Sequence, residues 1–123
     1  MCIRDRFLTD EGLREAAAPL TARAVCSPQT VGKCGGYWVP FGRGRDQAGD
    51  QQEDDARSLT FEALPLDTPI EILGAPIVTL DVASDRPIAN LVVRLCDVHP
   101  SGESLRVSYG VLNLCLLYTS RCV

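Results

Sequence analysis

At 123 residues the chain holds one small domain or a piece of a larger one. Its 46% hydrophobic content is that of a globular protein rather than a disordered one. A net charge of −4 leaves no basic surplus to displace counterions, and no apolar run reaches bilayer length, so neither nucleic acid nor membrane is expected as a partner.

The first six residues, MCIRDR, lack the apolar stretch of a secretory signal. Residues 7–20, FLTDEGLREAAAPL, predict a short helix. Thr9 is placed as its N-cap, Asp10 and Glu11 lie in the first turn, Leu13, Ala16 and Ala17 share one face, and Pro19 ends it. Residues 24–42 are rich in Gly, Pro and aromatics and read as an irregular segment, with Tyr37, Trp38 and Phe41 pinning the loop by packing. The alternative use of those rings is as one wall of a binding cleft. Residues 43–57, RGRDQAGDQQEDDAR, are acidic and without a large apolar side chain, which predicts a solvated connector. Asp46, Asp50, Asp54 and Asp55 raise the question of calcium, but the EF-hand spacing with its central Gly and terminal Glu is absent.

From Ser58 the pattern becomes one strand after another. SLTFEA alternates through Leu59 and Phe61, and Ile70 and Ile72 form a short strand that stops at Gly74. PIVTLDVAS puts Val78, Leu80 and Val82 on one face and Thr79 and Asp81 on the other. IANLVVRLCDV is almost continuously apolar, as a central strand covered on both sides would be. HPSG suits a type I turn with Pro100 second and Gly102 fourth, and SLRVSYGVL returns with Leu105, Val107, Tyr109 and Val111 alternating. Strands at this spacing with no helix between them predict an all-β fold, an antiparallel sandwich or jelly roll.

The chain closes on CLLYTSRCV, which shares no pattern with the strand before it. CLLYTS can be encoded by TGT CTC TTA TAC ACA TCT, and MCIRDR by ATG TGT ATA AGA GAC AGR. With one C before it, the first string is the extended reverse complement of the second. Both match the mosaic end of a transposase used to fragment DNA. SRCV then reads as the same element forward, with a stop as its next codon. Residues 1–6 and 115–123 are therefore expected to be library-derived, leaving Phe7 to Leu114 as a reading frame cut at both ends. Cys2, Cys115 and Cys122 go with them, and a disulfide framework loses most of its support. Cys26 and Cys34 are too far apart for a zinc ligand pair, so no metal or cofactor is expected.

Catalytic machinery is absent from the motifs. The nearest string to a G-x-S-x-G elbow is GESLR, residues 102–106, which lacks the last Gly and follows a hairpin turn. His99, the sole histidine, begins that turn and reads as exposed. Cys96 sits in an apolar strand and reads as an inert buried thiol. No residue is assigned a catalytic role.

Four motifs then stand out: D-D-x-x-S-L-T-F at 54–61, E-I-L-G-x-P at 71–76, S-D-x-P-x-A-N-L-V-V-R-L-x-D-V at 84–98, and Y-G-V-L-N-L at 109–114 after the P-x-G turn. With them, residues 50–114 resemble the C-terminal domain of X-Pro dipeptidyl-peptidases and of cocaine-esterase-like acyl hydrolases. The Trp/Gly-rich stretch at 35–44 looks like the segment leading into it. The resemblance implies a truncated galactose-binding-like jelly roll at 50–114, preceded at 7–49 by the tail of an upstream hydrolase domain and a connector. It implies an accessory role: packing on the α/β-hydrolase domain of the same parent chain, with the serine, aspartate and histidine of the triad upstream of this piece. The parent would be a peptidase or an esterase, working through an acyl-enzyme and an oxyanion hole. A carbohydrate-binding module or an oligomerisation module, including a homo-oligomer, is the alternative.

A partial sheet over residues 57–114 leaves open edges and half a core uncovered. Residues 7–114 alone are accordingly expected to be marginally folded. Thermal unfolding followed by circular dichroism should show a broad, shallow transition, and a sharp reversible two-state melt would overturn this.

Overall fold

The computed structural model describes residues 4–37, 41–42 and 47–115. The architecture is all-β, built from two antiparallel two-stranded sheets, with only short helical pieces among the described residues. Contacts divide the chain into one unit of Met1–Cys34 with Gln52–Leu73 and another of Gly35–Gln51 with Gly74–Val123.

In the first unit, β1 (Phe7–Thr9) pairs with β2 (Gly12–Arg14), in register Phe7 with Arg14, Leu8 with Leu13 and Thr9 with Gly12. This replaces the helix expected at 7–20. Gly12 takes φ 111°, which a helix cannot use and a tight turn can. Thr9 is a hairpin corner rather than an N-cap. Its Oγ1 accepts from the Glu11 N–H at 3.2 Å and donates to the Gly12 carbonyl at 2.9 Å, so the side chain is buried yet satisfied. The Asp10 N–H donates to the Pro19 carbonyl at 3.2 Å. The Asp10 carboxylate accepts from the Thr21 hydroxyl (2.8 Å), the Thr21 N–H (3.0 Å) and Arg23 (3.2 Å). Those bonds, the Thr21 hydroxyl first, hold its carboxyl below the ordinary carboxylate range.

The D-D-x-x-S motif forms the short helix α1 (Gln52–Asp55) and its closing turn. The Ala56 N–H donates to the Gln52 carbonyl, the Arg57 N–H to Asp54, and the Ser58 N–H to Asp55. The Ser58 hydroxyl donates back to the Asp54 carbonyl at 2.7 Å, and Arg57 pairs with Glu53 one turn away. SLTFEA does not form the expected strand. It meets the hairpin through the Glu62 carbonyl, which accepts from the Leu13 N–H at 2.8 Å and Arg14 Nη1 at 3.2 Å. Residues 70–72 likewise lie outside any ladder.

In the second unit, β3 (Asn90–Val98) and β4 (Ser104–Asn113) form the hairpin that the alternation predicts. The Gly102 N–H donates to the His99 carbonyl at 2.8 Å and the His99 N–H to the Glu103 carbonyl at 2.9 Å, with Gly102 at φ 93°. This is the three-residue loop in which a type I turn ends on a left-handed glycine. A β-bulge then shifts the register, since Leu95 faces Ser108 but Cys96 faces Arg106. Val107 is the extra residue. The bulge breaks the expected sharing of one face by Leu105, Val107, Tyr109 and Val111. Leu105 joins Leu91, Val93, Leu95 and Leu112, whereas Tyr109 and Val111 lie with Val92, Arg94 and Arg106.

β3 is not the doubly covered central strand its composition suggested. β4 is its strand neighbour among the described residues, and Val92 and Val98 are more than half exposed. PIVTLDVAS, expected to pair, runs outside any ladder, with Ile77, Val78 and Val82 exposed. Among the described residues no hydrophobic side chain is buried; Thr9, Gln51, Asp54 and Ser104 are. Such a sheet lacks the second layer that makes strands independently stable.

Gly12→Ala tests the hairpin that displaced the helix. A Cβ there would sit 2.4 Å from the Glu62 carbonyl oxygen on a φ that side chains avoid. It should destabilise β1–β2 by about 1–3 kcal/mol, read as lost hydrogen-exchange protection at the Leu13 amide, which an unaltered amide would contradict.

Candidate functional site

A polar cluster of the second unit lies where residues 47–51 meet the hairpin. Asp50 bridges antiparallel to Leu105. The Ser104 N–H donates to Asp50 Oδ1 at 3.0 Å, and the Gln51 N–H donates to the Ser104 carbonyl at 2.8 Å. The fully buried Gln51 side chain then reaches across the sheet. Its Oε1 accepts from Arg94 Nη1 at 2.8 Å and its Nε2 donates to the Gly49 carbonyl at 2.8 Å. The connector expected to be solvated is thus clamped here, because its amide side chain satisfies a half-buried guanidinium.

Beside the cluster, Arg106 Nη2 donates to the Gly35 carbonyl at 2.9 Å, and its guanidinium carbon lies 4.6 Å from the Tyr109 ring centroid. A contact of that kind is worth about 0.5–1 kcal/mol at an exposed site. An open depression of about 510 Å³ runs along this edge, lined by Gln47, Ala48 and the bulged stretch Leu105–Tyr109. Its lining offers one cation, one phenol and a serine, and no general base to activate that serine.

His99 is exposed in its turn, 3.7 Å from Asp97 Oδ2. Ser104, the serine of GESLR, is buried at the start of β4 and not raised on an elbow. Cys96 is half-buried rather than buried, and Cys26, Cys34 and Cys96 are free thiols. Tyr37 and Phe41 are exposed, so the loop is not pinned by them; Trp38 lies outside the described residues, as does Asp46. Asp50 and Asp54 accept from backbone: Asp50 takes the Ser104 N–H, and Asp54 Oδ2 takes the Cys34 N–H at 3.4 Å. Among the described residues no group of three His, Cys, Asp or Glu could hold a metal, and no helix is long and apolar enough to cross a membrane.

Gln51, Arg94 and Arg106 escaped the sequence reading. One signal was present: Arg94 interrupts the apolar run Leu91–Cys96, and a charge there demands a partner.

Residues 5–120 match the profile of the X-Pro dipeptidyl-peptidase C-terminal non-catalytic domain. The chain belongs to that family. The matched span takes in the segment before residue 50 as well as the strands after it. A protein of Mycobacterium bovis, strain ATCC BAA-935 / AF2122/97, named as a candidate serine esterase, is 36% identical over 63 residues. A protein of the same description from Mycobacterium tuberculosis, strain CDC 1551 / Oshkosh, is equally similar. The alignment covers 51% of this chain and 10% of each relative, so the chain spans about a tenth of their length. No solved structure matches the chain.

Gln51→Ala removes the 2.8 Å hydrogen bond to Arg94 and should weaken the β3–β4 hairpin by about 1.5–3 kcal/mol, the range for a hydrogen bond to a charged group. Amide exchange across β3 and β4 reports the loss, with the exposed Gln47→Ala as a neutral control. Equal protection in both variants would contradict the clamp.

Proposed function

We propose that this chain is the accessory domain of a serine hydrolase, a truncated galactose-binding-like jelly roll that packs on the α/β-hydrolase domain of its parent chain. The match to a non-catalytic C-terminal domain across residues 5–120 carries the reading. The relatives named as candidate serine esterases point to acyl transfer as the parent's chemistry, through a serine nucleophile and an oxyanion hole upstream. The hairpin fits the role of a docked layer. Val92, Val98, Tyr109 and Val111 are all at least half exposed, an apolar surface that a packing partner would cover.

On this reading residues 50–114 are the body of the truncated jelly roll and 7–49 lead into it from the hydrolase domain. The codon pattern supports a library origin for residues 1–6 and 115–123, although the family match reaches into both ends at 5–6 and 115–120; a locus amplified from DNA never exposed to transposase that still encodes CLLYTSRCV would overturn that origin.

The parent gene recovered by the same amplification should encode a G-x-S-x-G elbow upstream. Its product should hydrolyse p-nitrophenyl butyrate or glycyl-prolyl-p-nitroanilide and be silenced by a serine-directed phosphonate, while the 123-residue chain turns over neither. A parent with no hydrolase domain, or one whose activity survives the phosphonate, would overturn the proposal.

A further inference from the structure

The segment before β3 and the outer edge of β3 are complementary in a way the hairpin does not use. The Leu114 N–H donates to the Ala89 carbonyl at 3.0 Å, so the main chain of Ala89 faces β4. Alternation then turns the main-chain groups of Leu91 and Val93 toward β4, and those of Asn90 and Val92 outward, away from it. Residues 80–83 precede this edge by a short connection. Ser84 ties it off locally: its Oγ accepts from the Arg86 N–H and donates to the Arg86 carbonyl, both at 3.1 Å. The chain bends over residues 85–88.

We infer that residues 80–83 form a strap that closes antiparallel onto Asn90–Val93, with Leu80 opposite Val93 and Val82 opposite Leu91. Side-chain parity selects this register. Leu80 and Val82 then extend the face already formed by Leu91, Val93 and Leu112, and Asp81 falls on the other face with Val92 and Asn113. A slip of one residue would put Asp81 on the apolar face and expose Leu80 and Val82. In the open position seen here Val82 and Leu112 are exposed and Leu80, Leu91 and Val93 half-buried.

Tethering makes this segment the occupant in preference to a second copy of the chain. A connection as short as residues 84–89 holds the strap near the edge at an effective concentration on the order of millimolar, far above that of another molecule in solution. Closing also raises the hairpin from two strands, a marginal assembly, to three with one apolar face. The strap therefore sets how wide an apolar face this unit presents.

Disulfide trapping in the full chain tests it. In the closed register Leu80 and Val93 form a non-hydrogen-bonded pair, with Cα atoms about 4.5 Å apart, within disulfide reach. In a glutathione redox buffer, with peptide mapping to identify the bond, L80C/V93C should cross-link at least roughly tenfold faster than T79C/V93C, whose first cysteine faces the other side. Equal rates, or a faster 79–93 bond, would overturn the strap. So would an Asp81→Pro variant, which removes the N–H that faces Val92 in the closed register, if its Asn90 and Val92 amides exchange as fast as in the unsubstituted chain and no faster.

Discussion

The second unit depends on a single amide. Gln51 is the most completely enclosed side chain described, and it holds three things at once: the Ser104 carbonyl through its N–H, Arg94 through Oε1, and its own Gly49 through Nε2. Arg94 interrupts the apolar run Leu91–Cys96 of β3, on the face it shares with Val92 and Tyr109. A half-buried guanidinium without an acceptor costs far more than a neutral hydrogen bond returns. Gln51 accepts from that guanidinium, and with the Asp50–Leu105 bridge it holds this stretch on the hairpin, where Gln47 and Ala48 line the depression along β4.

Among the described residues the enclosed side chains are polar: Thr9 and Asp54 in one unit, Gln51 and Ser104 in the other. Each is enclosed because it satisfies backbone or a charge. Apolar side chains, by contrast, stay at least partly open on both faces of β3–β4. Hydrogen bonds specify geometry but contribute little net stability, whereas apolar burial supplies most of it. A piece with its polar joints made and its apolar faces uncovered has the character of an accessory layer, which fits membership of a non-catalytic C-terminal domain family.

Local pattern specifies some elements of this chain and leaves others open. The hairpin Asn90–Asn113 was legible because alternation and the Pro-Ser-Gly turn are both local. The hairpin at 7–14 was not. Thr9, Asp10 and Glu11 suit a helix start and a tight turn equally well, and Gly12 decided for the turn only with the Glu62 carbonyl waiting beside it. The connector at 43–57 looked solvated because its composition is acidic. Its burial at Gln51 and Asp54 depends on Arg94 and Ser104 in one case and Cys34 in the other.

By itself the sequence determined the all-β class, the turn at His99–Gly102, the lack of a nucleophile elbow, and the motifs by which the family is known. These rest on residue type and spacing within short windows. Only the tertiary structure decided that the bulge opposite Leu95 and Cys96 sends Leu105 to the other face from Tyr109, and that Gln51 clamps Arg94 across 43 positions of chain. The reason is physical. A bulge and a buried amide are settled by partners distant in sequence, and a local pattern records a demand for such a partner without saying which residue meets it.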